Sequence, residues 1–251
     1  ELIKPFFILL VSKILTQDNN KILNSYYLFS FFILFSIIIL LINQPDLGQA
    51  ILLIGTWIAM VFISGIRIFY IFSFFGLSLS ALTGLLFLFP EKFGYITKRL
   101  STFFDPSSGD SFQTQKALDA IKQGGLTGQG MGEGILKDNV PEAHTDYIIA
   151  VISEEFGSII SILLIIIFIY IALRIIKFTI SELDNSIKIS LCGFSTLLIF
   201  QTFIHIGVNT SLLPTTGMTL PFLSYGGSSL LGSSILAGFI LNYTKNSFSH
   251  D

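Results

Sequence analysis

Charged residues are rare along this chain, and the gaps between them set its pattern. Ile22 to Pro45 carries no Asp, Glu, Lys or Arg, and neither does Leu47 to Ile66 or Ile68 to Pro90. Phe156 to Leu173 is another such gap, whose helix starts near Tyr147, and the longest gap runs from Ile189 to Thr244. A helix needs roughly 20 apolar residues to cross a bilayer. The first four gaps therefore predict one span each. The last is too long for one helix. Pro214 and Gly217 lie inside it with Pro221 just after, so it reads as two spans joined by a turn. Residues 1–16 add a further span. The expected transmembrane helices are 1–16, 22–45, 47–66, 68–90, 147–173, 189–211 and 220–243, with 91–146 as one large loop. The fold class is an all-α polytopic membrane protein, a single membrane domain with about seven helices.

Composition supports the same class. Of 251 residues, 52% are hydrophobic and 12% charged, against about 25% charged in average soluble domains. The mean hydropathy is +0.77, and Phe alone supplies 26 residues. A soluble fold of this size could not hide so much apolar surface, and a disordered chain needs the opposite balance. A net charge of -2 gives no sign of a nucleic-acid partner. Cys192 is the single cysteine and reads as a small buried residue. The chain begins at Glu1 with no basic-then-apolar leader, so an upstream segment is expected.

Lys and Arg in short loops set the orientation. One set of loops holds Lys13, Lys21, Arg67, Arg174, Lys177, Lys188 and Lys245, while those around Asp46 and Thr215 hold none. The first set is cytoplasmic, and segment 91–146 lies outside. That segment is polar: ten of the sixteen acidic residues fall between Glu91 and Glu155. A short helix is expected over Ser111 to Gln123, capped by Asp110 or Ser111 and ended by Gly124, with Phe112, Leu118 and Ile121 facing inward. The run Gly128-Gln129-Gly130-Met131-Gly132-Glu133-Gly134 matches neither the dinucleotide fingerprint nor the P-loop, and reads as a flexible loop.

Candidate chemistry concentrates at the predicted outer ends of the spans. Asp46, in Gln44-Pro45-Asp46-Leu47-Gly48, either caps the next helix or lines a polar cavity. Pro141-Glu142-Ala143-His144-Thr145-Asp146 comes just before a span. Thr145 or Asp146 would be a natural N-cap, yet three ionisable groups meet here, and a carboxylate could act as general base for an incoming hydroxyl. Glu142 and Asp146 would share a face only if this stretch is helical. One of Glu154 and Glu155, two turns into a span, is expected to meet a cation or a cap. Lys4 either snorkels or is a buried counter-ion. His205 reads as a hydrogen-bonding residue within the bundle. The stretch Pro214 to Ser229 breaks a hydrophobic region with prolines and glycines, as a tight packing seam, the wall of a polar cavity, or both. No spacing resembles a zinc site or a nucleophile elbow.

Three of these segments, taken together, resemble the hallmark motifs of the SEDS family (shape, elongation, division and sporulation proteins). They are Gln44-Pro45-Asp46-Leu47-Gly48, Pro141-Glu142-Ala143-His144-Thr145-Asp146 and Pro221-Phe222-Leu223-Ser224-Tyr225-Gly226-Gly227-Ser228-Ser229. Glu1-Leu2-Ile3-Lys4 is similar to the end of the family's Ser-Glu-x-x-Lys motif. Asp105 to Gln113 and the glycine-rich run after it resemble the large outer loop. The Pro-Glu-Ala-His-Thr-Asp form and Glu154-Glu155-Phe156-Gly157 look closer to the division members than to the elongation members. The family has ten spans, so the seven here would be spans four to ten, with three more ahead of Glu1.

The resemblance implies a peptidoglycan glycosyltransferase of the bacterial cytoplasmic (inner) membrane. It would polymerise lipid II at the outer face, at the division septum. An acceptor sugar hydroxyl attacks the donor's anomeric carbon, and undecaprenyl diphosphate leaves with inversion. The family's essential outer-loop aspartate corresponds to Asp146, the expected catalytic carboxylate. Lys4 matches a cavity lysine, and Asp46, Glu142, His144, Ser224 and Tyr225 are further substrate or cavity candidates. A divalent cation (Mg²⁺ or Mn²⁺) on the diphosphate is chemically reasonable, no dedicated ligand set is visible, and no organic cofactor is expected. The implied partners are a class B penicillin-binding transpeptidase, other divisome membrane proteins and membrane lipids. The alternatives are a lipid II flippase and a non-catalytic divisome scaffold.

Overall fold

A computed structural model describes residues 1–17, 23–66, 69–70, 73, 76, 80, 83–84, 90–105 and 112–245. Most of the expected span 68–90 lies outside the described residues, as do Lys21, Arg67 and the cap expected at Asp110 or Ser111. Every long regular element among the described residues is an α-helix: α1 (Ile3–Leu15), α2 (Leu23–Asn43), α3 (Leu47–Ile63), α4 (Pro90–Phe104), α5 (Phe112–Gly124), α6 (Ile148–Ser181), α7 (Asn185–Asn209) and α8 (Gly227–Lys245). A 3₁₀ turn spans Leu136–Asn139. Among the described residues three helical stretches, Ser25–Asn43, Ile148–Ser181 and Asn185–Asn209, are long and apolar enough to cross a membrane, and Leu47–Ile63 is a shorter apolar helix. Ile162, Ile166, Tyr170 and Leu173 of α6 and Phe29, Phe32 and Leu40 of α2 are exposed, as lipid-facing helix surface requires.

The chain divides into two compact units. The first comprises Glu1–Leu2, Arg99–Arg174 and Leu198–Ala237, and the second Ile3–Lys98, Ile175–Leu197 and Gly238–Asp251. The second unit packs α1, α2 and α3 with the start of α7 and the end of α8. Ile8, Val11, Leu52, Met60 and Phe194 form its core. Gly193 permits that packing, because a Cβ there would meet Ile8 at 2.7 Å and the Met60 sulfur at 2.9 Å. Buried hydroxyls tie the helices together: Ser190 donates to Ser12 at 2.7 Å, and the Trp57 indole donates to Ser30 at 3.2 Å. Lys4 lies buried in α1 of this unit, at 4% exposure. Asp46 caps α3, accepting from the Gln49 N–H at 3.1 Å. Cys192 is half-buried, with its sulfur 3.8 Å from the Ala59 carbonyl oxygen.

The first unit is organised around a break in α6. Gly157 sits inside that helix at φ 85, ψ 169, which is not helical. A break leaves carbonyls on one side and N–H groups on the other without helical partners. The backbone of the glycine-rich loop supplies both. Gln129 and Gly130 donate to the Glu154 and Glu155 carbonyls at 2.9 and 3.0 Å. The Gly125 and Leu126 carbonyls accept from Ser158 and Ile159 at 3.0 and 3.4 Å.

Two expectations change here. The glycine run is a docked strip of backbone, with Gly128 and Gly157 at the contact: a Cβ on either would stand 2.2 Å from opposing backbone. The helix α5 exists over Phe112–Gly124, but its fully buried positions are Ala117, Ala120 and Gly124, while Leu118 and Ile121 are half-buried and Phe112 is exposed. At the helix end the reason is distance: a Cβ on Gly124 would lie 1.8 Å from the Ser153 carbonyl oxygen, so only glycine fits there. Phe112 is exposed, with the Lys116 ammonium over its ring at 5.6 Å.

Glu154 and Glu155 secure the other end of the loop. The Glu154 carboxylate, fully buried, accepts from Leu136 N–H and Lys137 N–H, each at 2.8 Å, and so caps the 3₁₀ turn from a distance. Glu155 pairs with the Lys137 ammonium. Of the two, Glu155 meets the expected cation and Glu154 serves the expected cap.

Candidate functional site

The segment before α6 is a turn, not a helix. Glu142 takes a positive φ of 56, and its single carbonyl accepts from the N–H groups of Thr145, Asp146 and Tyr147 at 3.1, 3.0 and 3.3 Å. The Thr145 hydroxyl turns back to the Glu142 carboxylate at 2.9 Å. Glu142 and Asp146 therefore lie at the two ends of one tight turn, and α6 starts at Ile148.

The turn's outgoing backbone is held from a second direction. His144, Thr145 and Asp146 present consecutive carbonyls, and each accepts one hydrogen bond from a distant part of the chain. The Tyr225 N–H donates to His144 at 2.9 Å. The Ser224 hydroxyl donates to Thr145 at 2.6 Å. The Asn209 amide donates to Asp146 at 3.0 Å. Three carbonyls fixed in a row leave the Asp146 backbone little freedom. Its half-buried carboxylate is directed toward the broken segment, where a Cβ on Gly217 would come 3.5 Å from Oδ2.

The broken segment Pro214 to Gly226 has no regular structure to satisfy its own backbone. α7 does part of that work through a ladder of side chains at four-residue spacing, on one face of the helix. Gln201 donates to the Thr219 carbonyl at 2.9 Å, and His205 Nδ1 lies 2.8 Å from the Met218 carbonyl oxygen. Asn209 completes the ladder at Asp146. A carbonyl only accepts, so His205 carries its proton on Nδ1. Its Nε2 is buried with no protein partner among the described residues. Thr219 and Ser229 share a hydroxyl contact at 2.8 Å, and Ser224 accepts from the Leu220 N–H at 2.8 Å.

The structure thus brings five of the candidates, Asp146, Glu142, His144, Ser224 and Tyr225, into one unit. Glu142 and His144 are exposed, Ser224 is buried with its hydroxyl hydrogen used on Thr145, and Tyr225 is 82% exposed with its N–H engaged. Lys4 and Asp46 belong to the other unit. Burial pushes the Tyr147 phenol, next to the site and just ahead of α6, up to about 12, with the Asp146 carboxylate adding to the shift and Arg99 opposing it. Among the described residues no three His, Cys, Asp or Glu side chains gather as a metal site. The reading of His205 as a hydrogen-bonding residue agrees with the geometry. Gln201 and Asn209 lie outside the candidates drawn from the sequence, although polar residues four apart on an apolar helix carry a readable signal.

An all-helical chain with apolar helices and a broken, polar-lined segment at the end of a span is a polytopic membrane protein. The sequence profile of the cell cycle proteins FtsW, RodA and SpoVE matches residues 1–248, and the chain belongs to that family. It is therefore a membrane protein of the bacterial envelope. The probable peptidoglycan glycosyltransferase FtsW of Caulobacter vibrioides is 35% identical over 241 residues, covering 96% of this chain and 61% of the relative. The stage V sporulation protein E of Bacillus subtilis is 39% identical over 217 residues, covering 86% and 59%. The chain thus spans about three fifths of the length of these curated relatives. A chain of a peptidoglycan synthase complex superposes with TM-score 0.73 at 24% identity, over 95% of this chain and 67% of that one. The rod shape determining protein RodA of Thermus thermophilus superposes with TM-score 0.59 at 23% identity, over 95% and 62%. Both likenesses bear on the fold.

Proposed function

We propose that the whole protein is a peptidoglycan glycosyltransferase that polymerises lipid II at the outer face of the cytoplasmic membrane, in the division septum, and that Asp146 is its base. The observation that carries this reading is the fixation of three successive carbonyls around Asp146. General base catalysis needs a carboxylate held within hydrogen-bond reach of the attacking hydroxyl, and a fixed backbone supplies that constraint. The names of the curated relatives support the same reaction.

In the proposed step the acceptor sugar's 4-hydroxyl oxygen forms a bond to the donor's anomeric carbon as Asp146 takes the hydroxyl proton. The anomeric C–O bond breaks with its electron pair leaving on the polyprenyl diphosphate, and configuration inverts. A divalent cation would arrive with the diphosphate as part of the substrate. A class B penicillin-binding transpeptidase is the proposed partner, in keeping with the synthase complex among the structural relatives.

The test reconstitutes the whole protein with its transpeptidase in liposomes. Glycan strands should form from lipid II, and Asp146→Asn should stop them. Labelled lipid II crossing the bilayer without strand formation would make the protein a flippase. Normal division with Asp146→Asn, lost only when helix surfaces are altered, would make it a scaffold.

A further inference from the structure

Asn209 is the last residue of α7 and is fully buried. Its side-chain amide has two hydrogens and both are engaged, one on the Asp146 carbonyl at 3.0 Å and one on the His205 carbonyl at 2.8 Å. Its oxygen accepts from the Ala150 N–H at 3.3 Å, a donor shared with the Tyr147 carbonyl at 2.9 Å. Two of these partners are carbonyls, which only accept, and the third is an N–H, which only donates. The amide therefore has one workable orientation. It joins three things: the end of α7, the first turn of α6 and the backbone of Asp146 just ahead of α6.

Building on the glycosyltransferase reading above, we infer that Asn209 is a positioning residue for Asp146. It sets where the carboxylate stands relative to the start of α6 and takes no part in the chemistry. Two other ties, from Ser224 and Tyr225, hold the preceding carbonyls of Thr145 and His144, so losing the amide frees the last carbonyl without unfastening the turn. Displacing a catalytic group by about 1 Å costs on the order of 100-fold in rate.

The experiment measures lipid II polymerisation by the whole protein with its transpeptidase, for Asn209→Ala and Asn209→Ser beside Asp146→Asn. Serine is the variant that preserves the helix end. Its hydroxyl can return to the carbonyl four residues back, as Thr210 does to Ile206 at 2.8 Å, yet it cannot reach Asp146. Both variants should bind lipid II with unchanged stoichiometry and KM while kcat falls roughly 10- to 100-fold. A purely structural residue would lower binding stoichiometry and turnover in parallel, and that result overturns the inference. So does full turnover in a folded variant, or failure of both variants to fold. The outcomes separate the two levels. Unchanged activity in Asp146→Asn defeats the reading of Asp146 itself; an inactive Asp146→Asn beside fully active Asn209 variants defeats only the positioning role.

Discussion

Gly157→Ala should unfold the first unit. Gly157 holds φ 85, ψ 169, a region that costs other residues about 1–3 kcal/mol. The new Cβ would stand 2.2 Å from the Leu126 carbonyl oxygen and 2.5 Å from the Gly128 nitrogen, both backbone atoms that no rotamer change can move. Ordinary contact begins at 3.4 Å, so the loop must retreat by more than 1 Å. That breaks the bonds from Gln129 and Gly130 to Glu154 and Glu155, and those from Ser158 and Ile159 to Gly125 and Leu126. At about 1 kcal/mol for each hydrogen bond, the four losses and the backbone strain total roughly 5–7 kcal/mol. That rivals the whole stability of a typical domain, about 5–15 kcal/mol. Gly132→Ala is the control. It shares a positive φ of 82 but has open space around the new Cβ, so only strain of about 1–2 kcal/mol applies. Thermal unfolding in detergent, with limited proteolysis of the loop, reads both variants. Equal unfolding midpoints for Gly157→Ala and Gly132→Ala would refute the claim that loop backbone completes the broken helix.

Further outcomes follow from the same contacts. Glu154→Gln puts an NH₂ group against either the Leu136 or the Lys137 N–H, leaving a buried donor unpaired, so it should lower stability by about 1–3 kcal/mol in thermal melts. Tyr147 ties stability to alkaline pH. Its folded value of about 12 exceeds the ordinary 10.0, so the folded state favours the neutral phenol. That contribution is complete below 10.0 and is lost as pH rises toward about 12. Tyr147→Phe should flatten the fall in melting temperature over this window, and an unchanged slope would show that the phenol is not the group responsible.

Several features were legible in the sequence because their causes are local. Asp46 before an apolar run announces a helix cap, and the cap is there. The helix ending at Gly124 follows from its periodicity and its terminal glycine. Its fully buried positions did not follow, because hydrophobicity points to Phe112, Leu118 and Ile121, whereas Ala117, Ala120 and Gly124 are the ones buried, Gly124 through close backbone approach. The glycine run has the same explanation. Its residues make main-chain hydrogen bonds to a helix break more than twenty residues away, and such bonds impose no side-chain pattern. Gly157 itself passes for an ordinary small residue within a hydrophobic run. The Asp146 turn was recognisable by its cluster of ionisable groups. The ties that fix it were not, since two of the three carbonyl bonds come from a serine hydroxyl and a backbone N–H, whose partners no local spacing reveals. The third, from Asn209, belongs to the Gln201, His205 and Asn209 ladder, which the four-residue spacing does display.

The most direct measurement is the single-turnover rate of glycan bond formation from lipid II, by the whole protein with its transpeptidase, with Asp146 intact and as Asn. Asn keeps the size and the backbone ties and removes only the proton-accepting charge. The predicted result is intact substrate binding with bond formation slowed by at least 100-fold, within the usual contribution of a general base. Bond formation at the unaltered rate would contradict Asp146 as the base, however firmly its backbone is held.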